Sequence, residues 1–255
     1  MIASLAMYDW PQNAAENDRL WIRIRQALAD EGIAAPEGLT RDGSLWDIWE
    51  CPALVLAQTC GMPYRTRLHG RVQLVATPDY GLPDAPAGHY YSVLVTRADE
   101  PGGFADFVER RLAYNDPLSQ SGWAAPQNRA LLFGRGFTRT LRTGAHRDSA
   151  RAVAERRADI AAIDAVTWRL IARHLPDLAA QLRLIDHSEP TPGLPLITSP
   201  GQDAATIARA VGAAIAALDS VDRTATGIRG LVAIPSEAYL AVPTPASPTE
   251  EVPAD

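Results

Sequence analysis

Tyr114-Asn115-Asp116-Pro117-Leu118-Ser119-Gln120-Ser121-Gly122 is the stretch on which the reading of this chain turns. Leu112 to Tyr114 reads as a short strand, and the pattern predicts a helix from Ser121 to about Phe133. Between them, Asn-Asp-Pro is turn chemistry. Ser is a good N-cap, because its hydroxyl takes up one of the backbone N–H groups that a helix start leaves unpaired. Those N–H groups and the positive end of the helix dipole make such a start an anion site. Two hydroxyls flanking one helix start add donors aimed at the same oxyanion. Plain N-capping needs only one of the two serines, so both readings stand at this point.

Outward from this stretch, strands alternate with helices. Residues 2–7, Leu54 to Ala57, Arg71 to Thr77 and His89 to Thr96 read as strands, as do Phe137 to Thr143, Asp159 to Ile163 and Leu182 to His187. Asn17 to Glu31 has Leu20, Ile24, Ala27 and Leu28 at helical spacing, with Gly32 fitting the position just past the end. Ser149 to Arg156, Ala165 to His174 and Asp203 to Leu218 read as further helices. This order predicts an α/β fold with mainly parallel sheets covered on both faces. In such sheets ligands sit beyond the carboxyl ends of the strands.

Two more segments carry candidate chemistry at such ends. Gly144-Ala145-His146-Arg147-Asp148-Ser149 opens a helix, where His146 is placed to donate to an anion. A solvated helix start with Asp148 near the dipole explains the same residues. Asp164 closes the apolar strand in Ala158-Asp159-Ile160-Ala161-Ala162-Ile163-Asp164, as a helix cap or as a contact for a ligand hydroxyl or ammonium group. Tyr8, Trp10, Trp46, Trp49, Tyr90 and Tyr91 lie near strand ends and either wall a ligand or simply pack. Trp46 and Trp49 are also the residues that would stack on a ring ligand. Ser121, His146 and Asp164 assemble on paper into a hydrolase triad, but no Gly-x-Ser-x-Gly elbow accompanies them. A phosphate-binding loop is absent, and Gly134-Arg135-Gly136 lacks the third glycine of a dinucleotide fingerprint.

Composition narrows the classes. The 255 residues are 47 % apolar, ample for a core, and carry a net charge of −6. The basic residues are scattered, which argues against nucleic acid as a partner. Cys51 and Cys60 read as free, mostly buried thiols rather than a disulfide framework. The five histidines form no ligand-spaced cluster, so no metal and no cofactor is expected. The start of the chain has no basic and apolar leader pattern, which reads as cytoplasmic, or as periplasmic if the sequence is a trimmed mature form. Membrane insertion is not expected. Residues 241–255, rich in Pro and Glu, are expected to form a disordered tail.

Taken together, GHYYSVLVTR at 88–97, YNDPLSQSGW at 114–123, GAHRDSARAVAERRADIAAID at 144–164 and TPGLPLIT at 191–198 resemble one family. It is the phosphate, phosphite and phosphonate substrate-binding proteins of ABC transporters, within the type II periplasmic-binding-protein fold. ASLAMYD and LAQTCGMP in the N-terminal part resemble it too. The resemblance implies a two-lobed Venus-flytrap, with lobe 1 comprising residues 1–93 and 188–240 and lobe 2 the inserted segment 94–187. It implies that oxyanion oxygens are held by Ser119, Gln120 and Ser121, that His146 is the matching histidine, and that Tyr91 and Asp164 face the same ligand. Tyr8, Asp9 and Gln58 at strand ends of the first lobe are further candidates. The implied role is a solute-binding protein for a small phosphorus oxyanion, partnered by an ABC permease. The rival readings are a cytoplasmic sensor or carrier using the same cleft, a binder of a pyrimidine-type ring compound, and an enzyme with His146 as general base.

Overall fold

The computed structural model describes residues 1–248. Along the chain the strands are β1 (Ile2–Ser4), β2 (Leu54–Gln58), β3 (Gln73–Asp79), β4 (His89–Tyr90), β5 (Ser92–Arg97), β6 (Leu112–Tyr114), β7 (Thr140–Arg142), β8 (Ile160–Asp164), β9 (Leu182–His187), β10 (Thr191–Pro192), β11 (Leu196–Thr198) and β12 (Gly230–Val232). The chain divides into two units. One holds Met1–His89 and Pro192–Ala241, the other Tyr90–Thr191 and Val242–Asp255. Two of the crossings run through β4 and β10, which pair as a two-stranded sheet.

The first unit is built on a five-stranded sheet in the order β1-β2-β11-β3-β12. β1 runs parallel to β2, and β11 runs antiparallel to both β2 and β3, so β1, β2 and β3 share one direction. β12 runs antiparallel to β3 at the edge. Every residue of β2, LVLAQ, is buried, as expected of a central strand covered on both faces. The helix Ala14–Asp30 buries Leu20, Trp21, Ile24 and Leu28, its one apolar stripe. It ends where Gly32, at a φ of 75°, lets Gly32 N–H donate to Ala29 and Ile33 N–H to Leu28. The helix Ala204–Ala216 packs against that helix and against β3.

The second unit has the order β7-β6-β8-β5-β9. β6 is parallel to β7 and to β8, while β5 is antiparallel to β8 and to β9. Four of the five strands therefore point one way and β5 runs against them. β5 and β8 are buried along their whole length. The helix His146–Ala154 buries only small side chains and Val153, so it lies close on β8 and β6.

Local departures from the sequence reading have local causes. The strand expected over 137–143 is confined to Thr140–Arg142. The backbone of Phe137 is occupied by the Gln127 side chain, which donates to its carbonyl at 2.8 Å and accepts from its N–H at 3.0 Å. The expected disordered tail is ordered in its first part. Trp123 Nε1 donates to the Ala246 carbonyl and Asn128 Nδ2 to the Pro243 carbonyl, each at 3.0 Å. The remainder of that expectation, 249–255, lies outside the described residues. Cys51 and Cys60 are not joined in a disulfide, and each is only half-buried. No single helix among the described residues is long and apolar enough to cross a membrane.

In the first unit, the Tyr239 hydroxyl donates to the Gly193 carbonyl at 3.0 Å and lies 2.5 Å from Thr77 Oγ1. All of these atoms are buried, so removing the hydroxyl strands its partners without water. Tyr239→Phe is expected to lower stability by about 1–3 kcal/mol in urea unfolding, with an unchanged slope.

Candidate functional site

The parallel strands β6, β7 and β8 pair in register, Leu112 opposite Thr140 and Ile160, so their carboxyl ends lie side by side. Each then starts a helix at the same edge. Beyond β6, Asp116, Pro117 and Leu118 form a turn in which Ser119 N–H donates to the Asp116 carbonyl at 3.0 Å and Leu118 N–H to Asp116 Oδ1 at 2.9 Å. Pro117 fixes the turn's φ and gives up no needed donor. Ser119 is the N-cap, its Oγ accepting from Gly122 N–H at 2.9 Å. The first helical turn, Gln120–Ala124, is a wide π turn that then tightens into the α-helix Ala125–Leu131. Such turns recur where side chains must be re-aimed at a site. Ser121 sits inside this turn, which opens one residue before the helix start expected at Ser121, and the two serine hydroxyls lie 3.5 Å apart.

Beyond β7, Thr143 N–H donates to Tyr114 and Gly144 N–H to Asn115, fastening the two loops together. The next helix then begins at His146, three residues earlier than expected. His146 Nε2 lies 2.8 Å from Ser121 Oγ. Gly122 is packed against Asn115 and lies close to this histidine. A Cβ there would overlap Asn115 Oδ1 and would stand 3.3 Å from His146 Cε1. Beyond β8, Asp164 is 2 % exposed and caps the helix Ala165–His174, its Oδ1 accepting from Val166 N–H at 2.7 Å and Thr167 N–H at 2.9 Å. β5 presents its amino end to the same edge, with Ser92 opposite Asp164. Ser92 Oγ donates to the Ser121 carbonyl at 2.9 Å, and the Tyr91 carbonyl accepts from Ala165 N–H at 3.0 Å. The Tyr91 ring stands 5.2 Å from that of His187.

Burial pushes the His146 imidazole down from 6.5 to about 4, opposed only weakly by the Ala162 carbonyl. Part of the residue remains open to solvent, while Nδ1 is enclosed with the Ala162 carbonyl beside the ring. His146 is therefore neutral at pH 7. Ser121 and His146 form a hydrogen-bonded pair, but Asp164 is engaged with its own helix and no carboxylate orients Nδ1. A hydrolase triad is not assembled. What the arrangement offers is a buried, uncharged set of hydroxyls and backbone donors, with Ser119, Gln120 and Ser121 exposed by 6 %, 2 % and 4 %.

The structure gathers Tyr91, Ser119, Gln120, Ser121, His146 and Asp164 in the second unit. Tyr8, Asp9 and Gln58 belong to the first. There Asp9 is taken up by Arg41 at 2.7 Å and by Asn17 at 2.9 Å. Gln58 donates to the Leu194 carbonyl and to the Tyr80 hydroxyl, each at 3.3 Å, and Tyr8 packs edge-on against the Tyr80 ring at 5.0 Å. Trp46 and Trp49 pack edge-to-face against each other at 5.1 Å, Trp49 in a core cluster and Trp46 against it, which gives the ring-stacking reading no support. Among the described residues no cluster of three or more His, Cys, Asp or Glu forms that could hold a metal. Sequence reasoning missed Ser92, Asn115, Gly122 and Tyr80. A glycine after Ser-x-Ser was the one visible hint among them.

Residues 56–237 match a family described as the periplasmic substrate-binding protein of phosphonate ABC transporters. In fold the chain is similar to PhnD1 from Prochlorococcus marinus in complex with methylphosphonate, with a TM-score of 0.70 at 13 % identity over 93 % of this chain and 94 % of that one. It is similar to the XAC2383 protein from Xanthomonas citri bound to chloride ion, at 0.69, 16 % and 94 % of each chain. A binding protein component of an ABC phosphonate transporter from Pseudomonas aeruginosa gives 0.61 at 18 % identity, over 88 % of this chain and 77 % of that one. No curated protein sequence matches.

A histidine held neutral in the fold adds an acid liability. The unfolded chain takes up the proton below about pH 6.5, the fold only below about 4, so stability falls across that window and levels off beneath it. His146→Gln keeps a hydrogen-bonding group and removes the titration. Its loss of melting temperature from pH 7 to pH 4 is expected to be smaller than that of the parent protein.

Proposed function

The chain belongs to the phosphonate-binding family of ABC-transporter substrate-binding proteins, and on that premise we propose that it holds the oxyanion of a small phosphonate at the helix start 119–122. The observation that carries this reading is the hydrogen-bonded pair of Ser121 and His146 set against the turn capped by Ser119. Ser119, Gln120 and Ser121 supply hydroxyl, amide and backbone donors to the oxyanion oxygens. An arriving anion favours the imidazolium, so His146 takes up a proton and donates through Nε2, with the Ala162 carbonyl beside the ring favouring the charged form. Asp164 accepts the proton of a ligand hydroxyl. Tyr91 borders the site.

The family is one of solute-binding transport proteins, not of enzymes, which overturns the reading of His146 as a general base. Its members are described as periplasmic, so the cytoplasmic expectation is not supported; we assign this chain to the periplasm as well. Delivery of the ligand to an ABC permease completes the proposed role. Methylphosphonate, the ligand bound by the Prochlorococcus protein, is the first probe.

Titration calorimetry tests the reading. Methylphosphonate is expected to bind, and Ser121→Ala to weaken it roughly ten- to hundred-fold, the cost of a hydrogen bond to a charged group. Near pH 6, measurements in buffers of different ionisation enthalpy are expected to show net proton uptake that disappears in His146→Gln. Undiminished binding in Ser121→Ala would place the anion elsewhere.

A further inference from the structure

The edge strand of the first unit covers only part of its neighbour. β3 runs from Gln73 to Asp79, but β12 pairs with it only at Asp79, Pro78 and Thr77. Past Val232 the chain leaves the sheet, and no backbone hydrogen bond joins residues 233–235 to β3. On its other flank β3 stays paired with β11 through Ala76, Leu74 and Gln73. One flank of β3, from Gln73 to Ala76, thus lacks a strand partner among the described residues. Beside it lies a cavity of about 630 Å³, with Leu74, Val75, Ala76 and Thr77 on one wall and the departing segment 233–237 on the other. A cavity over a sheet face would meet alternate strand residues. Four consecutive residues line this one, so it follows the strand edge.

The walls mix apolar side chains, Val72, Leu74, Val75 and Ile234 among them, with polar ones. Glu237 is the one carboxylate in them, and no arginine is present. Burial and the neighbouring Glu237 charge push the Tyr64 phenol up, which sets that carboxylate beside the cavity. Tyr64 in turn meets the His69 ring edge-on at 5.9 Å. We propose that this open edge of β3 takes an extended peptide as an added strand, with apolar side chains in the cavity and a basic one beside Glu237. Main-chain pairing over four residues, about 14 Å, supplies the affinity, and the charge supplies the preference. The chain's own terminal residues Glu250, Glu251 and Asp255 carry the wrong sign for this role.

A short acetylated and amidated peptide alternating Val and Lys is the probe, read by fluorescence anisotropy and by amide hydrogen exchange on the full chain. Binding is expected, with exchange slowed at residues 73–76. The Val and Glu counterpart is expected not to bind, nor is the Val and Lys peptide with alternate amides N-methylated. Glu237→Gln is expected to weaken binding about threefold, the scale of an exposed charge pair, and to leave methylphosphonate binding unchanged. No binding, equal binding of the N-methylated peptide, or displacement by butylammonium at the same concentration would overturn strand addition at this edge.

Discussion

Three parallel strands that finish at one level, β6, β7 and β8, constrain everything around the candidate site. A parallel strand can return to its sheet only through a crossover, here a helix on the sheet face. Each strand end must therefore be followed by a helix start, and register brings the starts at 120, 146 and 165 to one edge. Helix starts carry unpaired N–H groups and a positive partial charge. A protein of net charge −6 thus gains a local preference for an anion from backbone donors at one sheet edge. β5, running against the others, adds Tyr91 and Ser92 to the same edge.

The locally encoded parts of this arrangement were legible in the sequence. The Asp-Pro turn, the serine cap and the acidic residue closing an apolar strand each follow from chemistry within a few residues. Pairings across the chain were not legible. The Ser121–His146 hydrogen bond spans 25 residues, and only the folded loops reveal that Gly122 must lack a side chain. The ion pair at Asp9 comes from Arg41, 32 positions on. Phe137 has strand chemistry, yet Gln127 occupies its backbone. The Pro-rich segment after Ala241 has the composition of a disordered tail. It is partly ordered because Trp123 and Asn128 donate to its carbonyls, and a prolyl chain has little conformational freedom to lose.

The same geometry bears on which oxyanion suits the proposed site. A dianion brought beside Asp164 meets a carboxylate whose charge is only partly offset by the two N–H groups it caps. Neutral His146 does not counter it in the empty protein. The arrangement therefore favours ligands that arrive with one charge and a hydroxyl proton, or that pass a proton to His146 as they settle. In the first case Asp164 becomes an acceptor in place of a repulsive neighbour, and in the second the imidazolium matches the added charge. An organic phosphonate meets this condition while its substituent has no oxygen to satisfy. A fully ionised phosphate would bring a further charged oxygen to the same donors and to Asp164. Discrimination then rests on the count of protons and donors at the site, not on the charge of the protein.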